Sequence, residues 1–344
     1  MSLRNSSSRI IKAIYEGVPA TGPPSLRTRW SRLRYKSPEH MQPAFEEALK
    51  IINKDSENQK IAAQNASSSQ VREELYAKSD IYNPEVQYND FVNYVDLSNP
   101  TYKLLAKRRW LRRSMPTMMQ RIEQLHVIPD TLPTLMPEAE TKIKFLLPKL
   151  DFIDPGAWVR NDICMRTPQI SISDFSLPAG TSGHYTVAIV NPDIPDLEND
   201  SFNTDLHFLA TNVEASLANP IANWAKSSVL KPYMPPVPEK NAPGQRMCVW
   251  VMRQENGHSS NLENKELVSE FDLRSFVSEQ NLRPVSAFVW RSKWDYTSPA
   301  VREKLGLPRG RVFYRARTEF AEDSVLHITE RPKWQKVDEL YHNE

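Results

Sequence analysis

Cysteine is scarce in this chain, and its apolar runs are short. Cys164 and Cys248 lie far apart, without C-x-x-C or H-x-x-x-H spacing. This pattern favours buried free thiols in a reducing compartment over a metal site or a disulfide. No apolar run approaches the roughly 18 residues needed to cross a bilayer, so we expect no membrane span.

Catalytic motifs are also missing from the sequence. It contains no G-x-S-x-G, no phosphate-binding P-loop and no cluster of metal ligands. No Ser or Cys is placed by its spacing beside a His and an acid. We therefore expect a protein that is not an enzyme, with no cofactor, no metal and no small-molecule substrate.

Charge is nearly balanced overall, at +2, but it is unevenly distributed. Residues 1–36 hold eight Lys or Arg against Glu16 alone, which leaves the rest of the chain net acidic. Residues 1–15 are basic, Ser-rich and free of acids, which is typical of a mitochondrial targeting segment. The alternative is a basic arm that is never cleaved.

Residues 16–136 are predicted to form a basic arm and a helical extension. The stretch 18–36 mixes Pro, Gly, Ser and Arg without an apolar period, so it should be extended and irregular. Asn83-Pro84 and Asn99-Pro100 have the pattern of helix starts, with Asn as the cap and Pro at the first helical position. Pro116 should interrupt the second of these helices, after which the helical period resumes.

Short β-rich runs separated by Pro, Asn, Asp and Gly follow from about residue 143. They predict an antiparallel β-sandwich over 137–305 with short flanking helices near 271–279 and 296–305. Residues 306–344 are predicted to form a basic strip and an acidic, extended C-terminal tail. The expected class is therefore α+β: a helical extension, a sandwich and a tail.

Three motifs in the β-rich part belong together. Tyr185–Pro195 is an apolar strand that ends in N-P-D-I-P, Leu206–Asn212 carries L-H-x-x-x-x-N, and a Pro-rich loop from Tyr233 closes on G-Q-R at Arg246. Together they resemble the phosphatidylethanolamine-binding proteins. The resemblance implies that fold, and one small anion pocket made here by Asn191, Asp193, His207, Pro238, Gln245 and Arg246.

Two of these pocket positions depart from the family pattern. Asn191 replaces the first Asp of the turn, and Gln245 replaces the His of the G-x-H-R loop. Without that carboxylate, His207 should stay mostly neutral, and a phosphate headgroup would lose charge-assisted hydrogen bonds. We expect the pocket to be vestigial, its polar residues serving mainly the structure, because an Asn-Pro-Asp turn caps its own backbone.

Basic segments with interleaved aromatics are candidates for RNA contact. Guanidinium groups suit phosphates, and aromatic rings stack on unpaired bases. A solvated or acid-paired face is the alternative for the helix around 107–113. The predicted RNA-binding residues are Arg27, Arg29, Trp30, Arg32, Arg34, Lys36, Arg108, Arg109, Arg112, Arg113, Arg309, Arg311, Arg315 and Arg317.

Further runs resemble one branch of the family, the mitochondrial ribosomal branch in its fungal form. Examples are N-P-E-V-Q-Y at 83–88, P-P-V-P-E-K-N-A at 235–242 and W-R-S-K-W-D at 290–295. The match covers roughly residues 30–317 and includes the helical extension. It implies a structural constituent of the mitochondrial large ribosomal subunit, near its central protuberance in the matrix, with rRNA and neighbouring ribosomal proteins as partners.

Two other functions stay open from the sequence. A soluble regulator that binds an anion or a phospholipid headgroup, of the kinase-inhibitor type, is motivated by His207 and Pro238. A hydrolase is motivated only by a polar cleft, and it would need a nucleophile within hydrogen-bond reach of His207.

Overall fold

The computed structural model describes residues 26–36, 38–145, 151–196, 199, 201–254 and 271–313. The predicted targeting segment, and Arg315 and Arg317 of the predicted RNA-binding set, lie outside the described residues. Nine α-helical segments are found in the described part, together with a π-turn at Trp110–Ser114 and a 3-10 turn at Ile163–Met165. The α-helices are α1 (Arg29–Arg34), α2 (Met41–Gln64), α3 (Ser69–Ser79), α4 (Pro84–Phe91), α5 (Pro100–Arg109), α6 (Met115–Gln124), α7 (Val127–Asp130), α8 (Leu273–Glu279) and α9 (Ser298–Lys304).

Helix α1 corrects the prediction of an extended, irregular segment at residues 29–34, and residues 18–25 of that segment lie outside the described part of the chain. Thr28 caps the helix, because its side-chain oxygen accepts a hydrogen bond from the N–H of Ser31 at 3.1 Å. Such a cap satisfies one of the N–H groups that a helix start leaves unpaired. The Arg and Leu residues that follow are good helix formers, so a basic composition did not prevent a helical turn.

The two predicted Asn-Pro helix starts are confirmed. Asn83 Oδ1 accepts from the N–H of Glu85 at 3.0 Å, and Asn99 Oδ1 accepts from the N–H of Thr101 at 2.9 Å. Pro84 and Pro100 occupy the first helical positions, where no N–H is needed. Both helices therefore begin where the local sequence predicted.

The interruption expected at Pro116 takes the form of a π-turn rather than a break. Residues Trp110–Ser114 join α5 to α6, and Pro116 lies in the first turn of α6. Proline has no N–H to donate and its ring crowds the preceding turn, and a wider turn relieves that crowding. The chain thus continues as one helical rod from Pro100 to Gln124.

The strands form two antiparallel sheets. Strands β1 and β2 pair with each other, and the other five have the order β5-β4-β3-β6-β7. The strands are β1 (Ala139–Lys144), β2 (Gln169–Asp174), β3 (Ser182–Asp196), β4 (Ser201–Ser216), β5 (Ser228–Lys231), β6 (Gln245–Gln254) and β7 (Leu282–Ser292). The predicted α+β class, with a helical N-terminal region before antiparallel sheets, is confirmed.

Apolar residues cover both faces of the five-stranded sheet. One face packs against the small sheet, with Ile143 and Ile172 against Val187 and Ile189. The other face packs against helices, and its core contains Ile122 of α6 beside Trp250 of β6. A sheet buried on both sides needs strands that are apolar at every position, as in 187–190.

The helical extension is fixed to the sandwich at further points. The Trp110 and Phe175 rings lie with their centroids 5.2 Å apart. Lys103 Nζ donates to Glu73 Oε1 at 2.7 Å and to the Leu177 carbonyl at 2.6 Å.

Within the described residues, no helix is both long and apolar enough to cross a membrane.

Candidate functional site

A cavity of about 370 Å³ opens at the ends of the central strands. Asn191, His207 and Gln245 come to it from β3, β4 and β6, which are adjacent in the sheet. The Pro-rich loop, helix α9 and the segment after α9 complete it. Its other lining residues are Ile194, Pro195, Asp205, Met234, Val237, Glu239, Ala242, Arg302, Leu307 and Arg311.

Asn191 and Gln245, the two departures from the family pattern, bind each other. Asn191 Nδ2 donates to Gln245 Oε1 at 3.2 Å, and Asn191 Oδ1 accepts from the N–H of Asp193 at 3.0 Å. Both side chains are buried. The amide pair thus satisfies polar groups that burial would otherwise leave without partners.

His207 is buried, with 3% of its surface exposed. Its Nδ1 lies 2.7 Å from the Met234 carbonyl, which can only accept, so Nδ1 carries a proton. Burial lowers the pKa of His207, although the contact with Met234 opposes this shift. The ring is therefore neutral at pH 7, and Nε2 is a buried lone pair with no partner among the described residues.

Asp193 and Arg246 lie outside the cavity and bind each other instead. Arg246 Nε and Nη2 donate to the Asp193 carboxylate at 2.9 and 2.6 Å. Arg246 Nη1 donates to Asp130 Oδ2 and to the Leu125 carbonyl, both at 2.7 Å, and to the His126 carbonyl at 3.1 Å. This arginine therefore ties β6 to the end of the helical extension.

Of the six predicted pocket residues, the structure brings three together around the cavity. Pro238 is buried in the Pro-rich loop but is not among the residues that line the cavity. Strand alternation explains the separation of Gln245 from Arg246, because neighbouring residues on a strand point to opposite faces.

Helix α9 and the chain after it supply cavity residues that the sequence did not predict. Arg302 Nε donates to the Pro308 carbonyl at 2.9 Å, and Arg302 Nη1 donates to the Val237 carbonyl at 3.3 Å. The N–H of Arg311 donates to Glu239 Oε1 at 3.0 Å. The sequence predicts Arg311 only as an RNA contact, and no sequence motif places Arg302 at the cavity.

The described cavity offers no hydroxyl or thiol as a nucleophile. No serine, threonine or cysteine is among its lining residues, and His207 therefore has no hydroxyl or thiol there to activate. Burial raises the pKa of Cys164 and of Cys248 well above the ordinary thiol range, which makes both poor nucleophiles. In the described part of the chain no cluster of His, Cys, Asp or Glu could hold a metal ion.

The described basic residues lie on separate surfaces. On α1, the Arg34 guanidinium stacks on the Trp30 ring at 5.8 Å. On the rod formed by α5 and the π-turn, Arg108, Arg112 and Arg113 are exposed, and no acidic partner is found for them within the described residues. Arg109 is also exposed but pairs with Asp90 at 2.5 Å. The exposed members of the predicted set in these regions and beyond are Arg27, Arg29, Trp30, Arg34, Lys36, Arg108, Arg109, Arg112, Arg113, Arg309 and Arg311; Arg32 is partly buried.

Comparison with known proteins agrees with this architecture. The family model described as phosphatidylethanolamine-binding protein matches residues 153–289. A relative from Schizosaccharomyces pombe, named large ribosomal subunit protein mL38, is 29% identical over 270 residues, which cover 76% of this chain and 86% of the relative. The resemblance predicted from the motifs is confirmed, and the predicted domain bounds of 137–305 stay a prediction.

Solved structures similar to this chain include a carboxypeptidase Y inhibitor in complex with its cognate proteinase. It is 15% identical, with a TM-score of 0.43, over 52% of this chain and 95% of that chain. A phosphatidylethanolamine-binding protein from Plasmodium vivax is 13% identical, with a TM-score of 0.41, over 52% of this chain and 98% of that one.

Proposed function

We propose that this chain, of which residues 153–289 match the phosphatidylethanolamine-binding protein family model, is a structural constituent of the mitochondrial large ribosomal subunit. In this role it binds rRNA and neighbouring ribosomal proteins near the central protuberance, in the mitochondrial matrix. It performs no catalysis and uses no cofactor.

One observation carries the proposal: the similarity to the ribosomal protein mL38 covers 76% of this chain. The family model alone covers only 153–289, so the similarity to mL38 includes sequence outside that domain. A general lipid-binding or inhibitor function would not require the extension, whereas a shared assembly would.

The electrostatics of the extension support an RNA partner. Arg108, Arg112 and Arg113 project from a rod whose backbone is held by the Trp110–Phe175 contact. Within the described residues these arginines have no acidic partner, and such arginines suit contacts with phosphate groups, which release counterions when they bind. The altered cavity supports the same proposal, because a neutral His207 and an amide pair provide little attraction for a phosphate.

Sedimentation of tagged chain from a mitochondrial extract tests the proposal. We expect the protein in the large-subunit fraction, and we expect nuclease treatment to release it. A protein that stays at the top of the gradient in untreated extract contradicts the proposal. Mitochondrial translation should also fall when the protein is depleted and recover when it is restored.

A second candidate function is favoured by His207, which lines the cavity and whose buried Nε2 has no partner in the part of the chain that the structure describes. A soluble regulator would hold an anion or a phospholipid headgroup at this point, with Arg302 and Arg311 at the rim. Calorimetric titration with phosphorylethanolamine distinguishes the two functions. A heat of binding in the wild-type chain that is lost in His207→Ala would support the regulator function. A wild-type titration without a heat of binding would eliminate that function.

A further inference from the structure

A strip of aromatic rings paired with cations lies beside the end of β7. Arg291 stacks on Trp158 with its guanidinium carbon 4.3 Å from the ring centroid, and Lys293 Nζ is 5.4 Å from the same centroid. Lys240 Nζ lies 5.2 Å from the centroid of Trp294. We call Trp158, Arg291, Lys293, Trp294 and Lys240 the aromatic strip.

The aromatic strip is accessible and carries uncompensated charge. Trp158 is 48% exposed, which is high for a tryptophan. Lys240, Arg291 and Lys293 make no ion pair with a carboxylate in the described part of the chain. Nearby in the sequence, Tyr296 is 74% exposed, and the Arg160 guanidinium carbon lies 5.6 Å from the centroid of its ring.

The backbone of the strip is held rigidly from below. Asn161 is fully buried, and its Nδ2 donates to the Lys293 carbonyl at 3.0 Å and to Ser298 Oγ at 2.7 Å. The N–H of Asn161 donates to Asp295 Oδ2 at 3.1 Å. A rigid platform loses little entropy when a ligand binds, so the geometry is suited to recognition.

Trp158 is held in place from two sides. Its segment pairs with β7, where the N–H of Arg291 donates to the Ala157 carbonyl at 2.8 Å. On the other side, Gly244 approaches the ring so closely that an added Cβ would lie 2.4 Å from Trp158. The glycine therefore leaves room for the Trp158 indole at this position.

We propose that the aromatic strip binds an unpaired segment of RNA, with bases stacked on its rings and phosphates held by Lys240, Arg291 and Lys293. A ligand that carries only phosphates would contact the cations and not the rings. An acidic peptide would likewise pair with the cations and leave the exposed rings without a partner. Rings alternating with cations are the combination that single strands require. The inference rests on the proposed ribosomal function for the source of the RNA.

Fluorescence anisotropy with a short labelled oligouridylate and the full-length chain tests this assignment. Trp158→Ala should weaken binding by roughly tenfold, as expected for loss of one stacked base. Lys240→Gln with Lys293→Gln should weaken it and lower the slope of log affinity against log salt by about 1.4, since each phosphate contact to a single strand adds about 0.7. Lys54→Gln, an exposed lysine on α2, is the matched control and should change the slope much less.

An RNA duplex of the same length and an oligoglutamate separate the alternatives. The wild-type chain should prefer the single strand to the duplex, and Trp158→Ala should lose that preference. An unchanged affinity of Trp158→Ala for oligouridylate would overturn the proposal. Effective competition by an oligoglutamate of equal charge would overturn it as well. Circular dichroism and thermal unfolding confirm that each variant is folded.

Sedimentation keeps this inference distinct from the proposed function. If Trp158→Ala retains its oligouridylate affinity while the wild-type chain sediments with the large subunit, the strip assignment fails and the ribosomal function stands. If the strip binds oligouridylate but the chain does not sediment with the subunit, the ribosomal function fails while the RNA site stands.

Discussion

Arg246 donates two hydrogen bonds to the Asp193 carboxylate, from Nε at 2.9 Å and from Nη2 at 2.6 Å. The same guanidinium also reaches Asp130 and two backbone carbonyls at the end of the extension. Hydrogen bonds to Asp193 and Asp130 raise the pKa of Arg246, against the opposing effect of burial. A residue that resembles part of a ligand pocket is thus a structural link between two parts of the chain.

Arg246→Leu should destabilise the protein by about 3–5 kcal/mol, because it leaves the Asp193 carboxylate partly buried without its cation. Urea unfolding followed by circular dichroism measures the change. Arg160→Leu removes an exposed arginine that pairs with Asp162 and should alter stability little. Equal losses in the two variants would contradict a special role for Arg246.

Asp174 should make the protein sensitive to strong acid. Burial alone would raise the pKa of Asp174, but hydrogen bonds from Ser176, Tyr185 and Arg253 lower it below the ordinary value of 3.8. The folded state then binds fewer protons than the unfolded state, so this stability is present above about pH 3.8 and is lost as the pH falls further. Urea midpoints measured over that range should drop less steeply in Asp174→Asn, which is less stable at neutral pH.

His207 should add a second acid sensitivity, in a higher pH range. Burial lowers the pKa of His207 from 6.5, so below about pH 6.5 the unfolded state takes up the proton more readily and stability declines. Thermal unfolding between pH 7.5 and 5 would show this decline, which His207→Gln should reduce. A wild-type melting temperature that is constant over this range would argue against a buried, neutral ring.

The arginines of the helical rod should contribute to RNA affinity mainly through charge. Replacing Arg108, Arg112 and Arg113 with Gln should weaken binding to single-stranded RNA and reduce the salt slope by about 2, at about 0.7 per contact. Anisotropy titrations over a range of salt concentrations give the slope. Arg109→Gln serves as the comparison, since Arg109 is already paired with Asp90, and its variant should bind nearly as well as wild type.

Local features of the fold were predictable from the sequence because short-range chemistry determines them. Asn83 and Asn99 cap their helices through their own side chains, and the run 187–190 forms a buried strand. Helix α1 was missed because the cap at Thr28 is a single residue within a polar segment. The π-turn also has no clear local signal apart from Pro116, which indicated an interruption without its form.

The candidate site was harder to predict, because its residues meet only through tertiary structure. The motif placed Gln245 and Arg246 in one pocket, although strand alternation separates consecutive side chains. In the aromatic strip, Trp158 meets Lys293 only when segment 156–159 lies along β7, and Lys240 meets Trp294 although the two lie far apart in the sequence. No periodic pattern could indicate those meetings.

The packing of α6 on the five-stranded sheet has a consequence for how the chain folds during synthesis. Met118 and Ile122 emerge early in synthesis, but their partners Trp250 and Val289 come more than a hundred residues later. Until β7 is complete, the apolar face of the amphipathic rod is exposed, and it can aggregate or bind a chaperone. A fragment that begins at β1 and lacks the rod would also be prone to aggregate, because the face of its sheet that normally packs against α6 would be exposed to water.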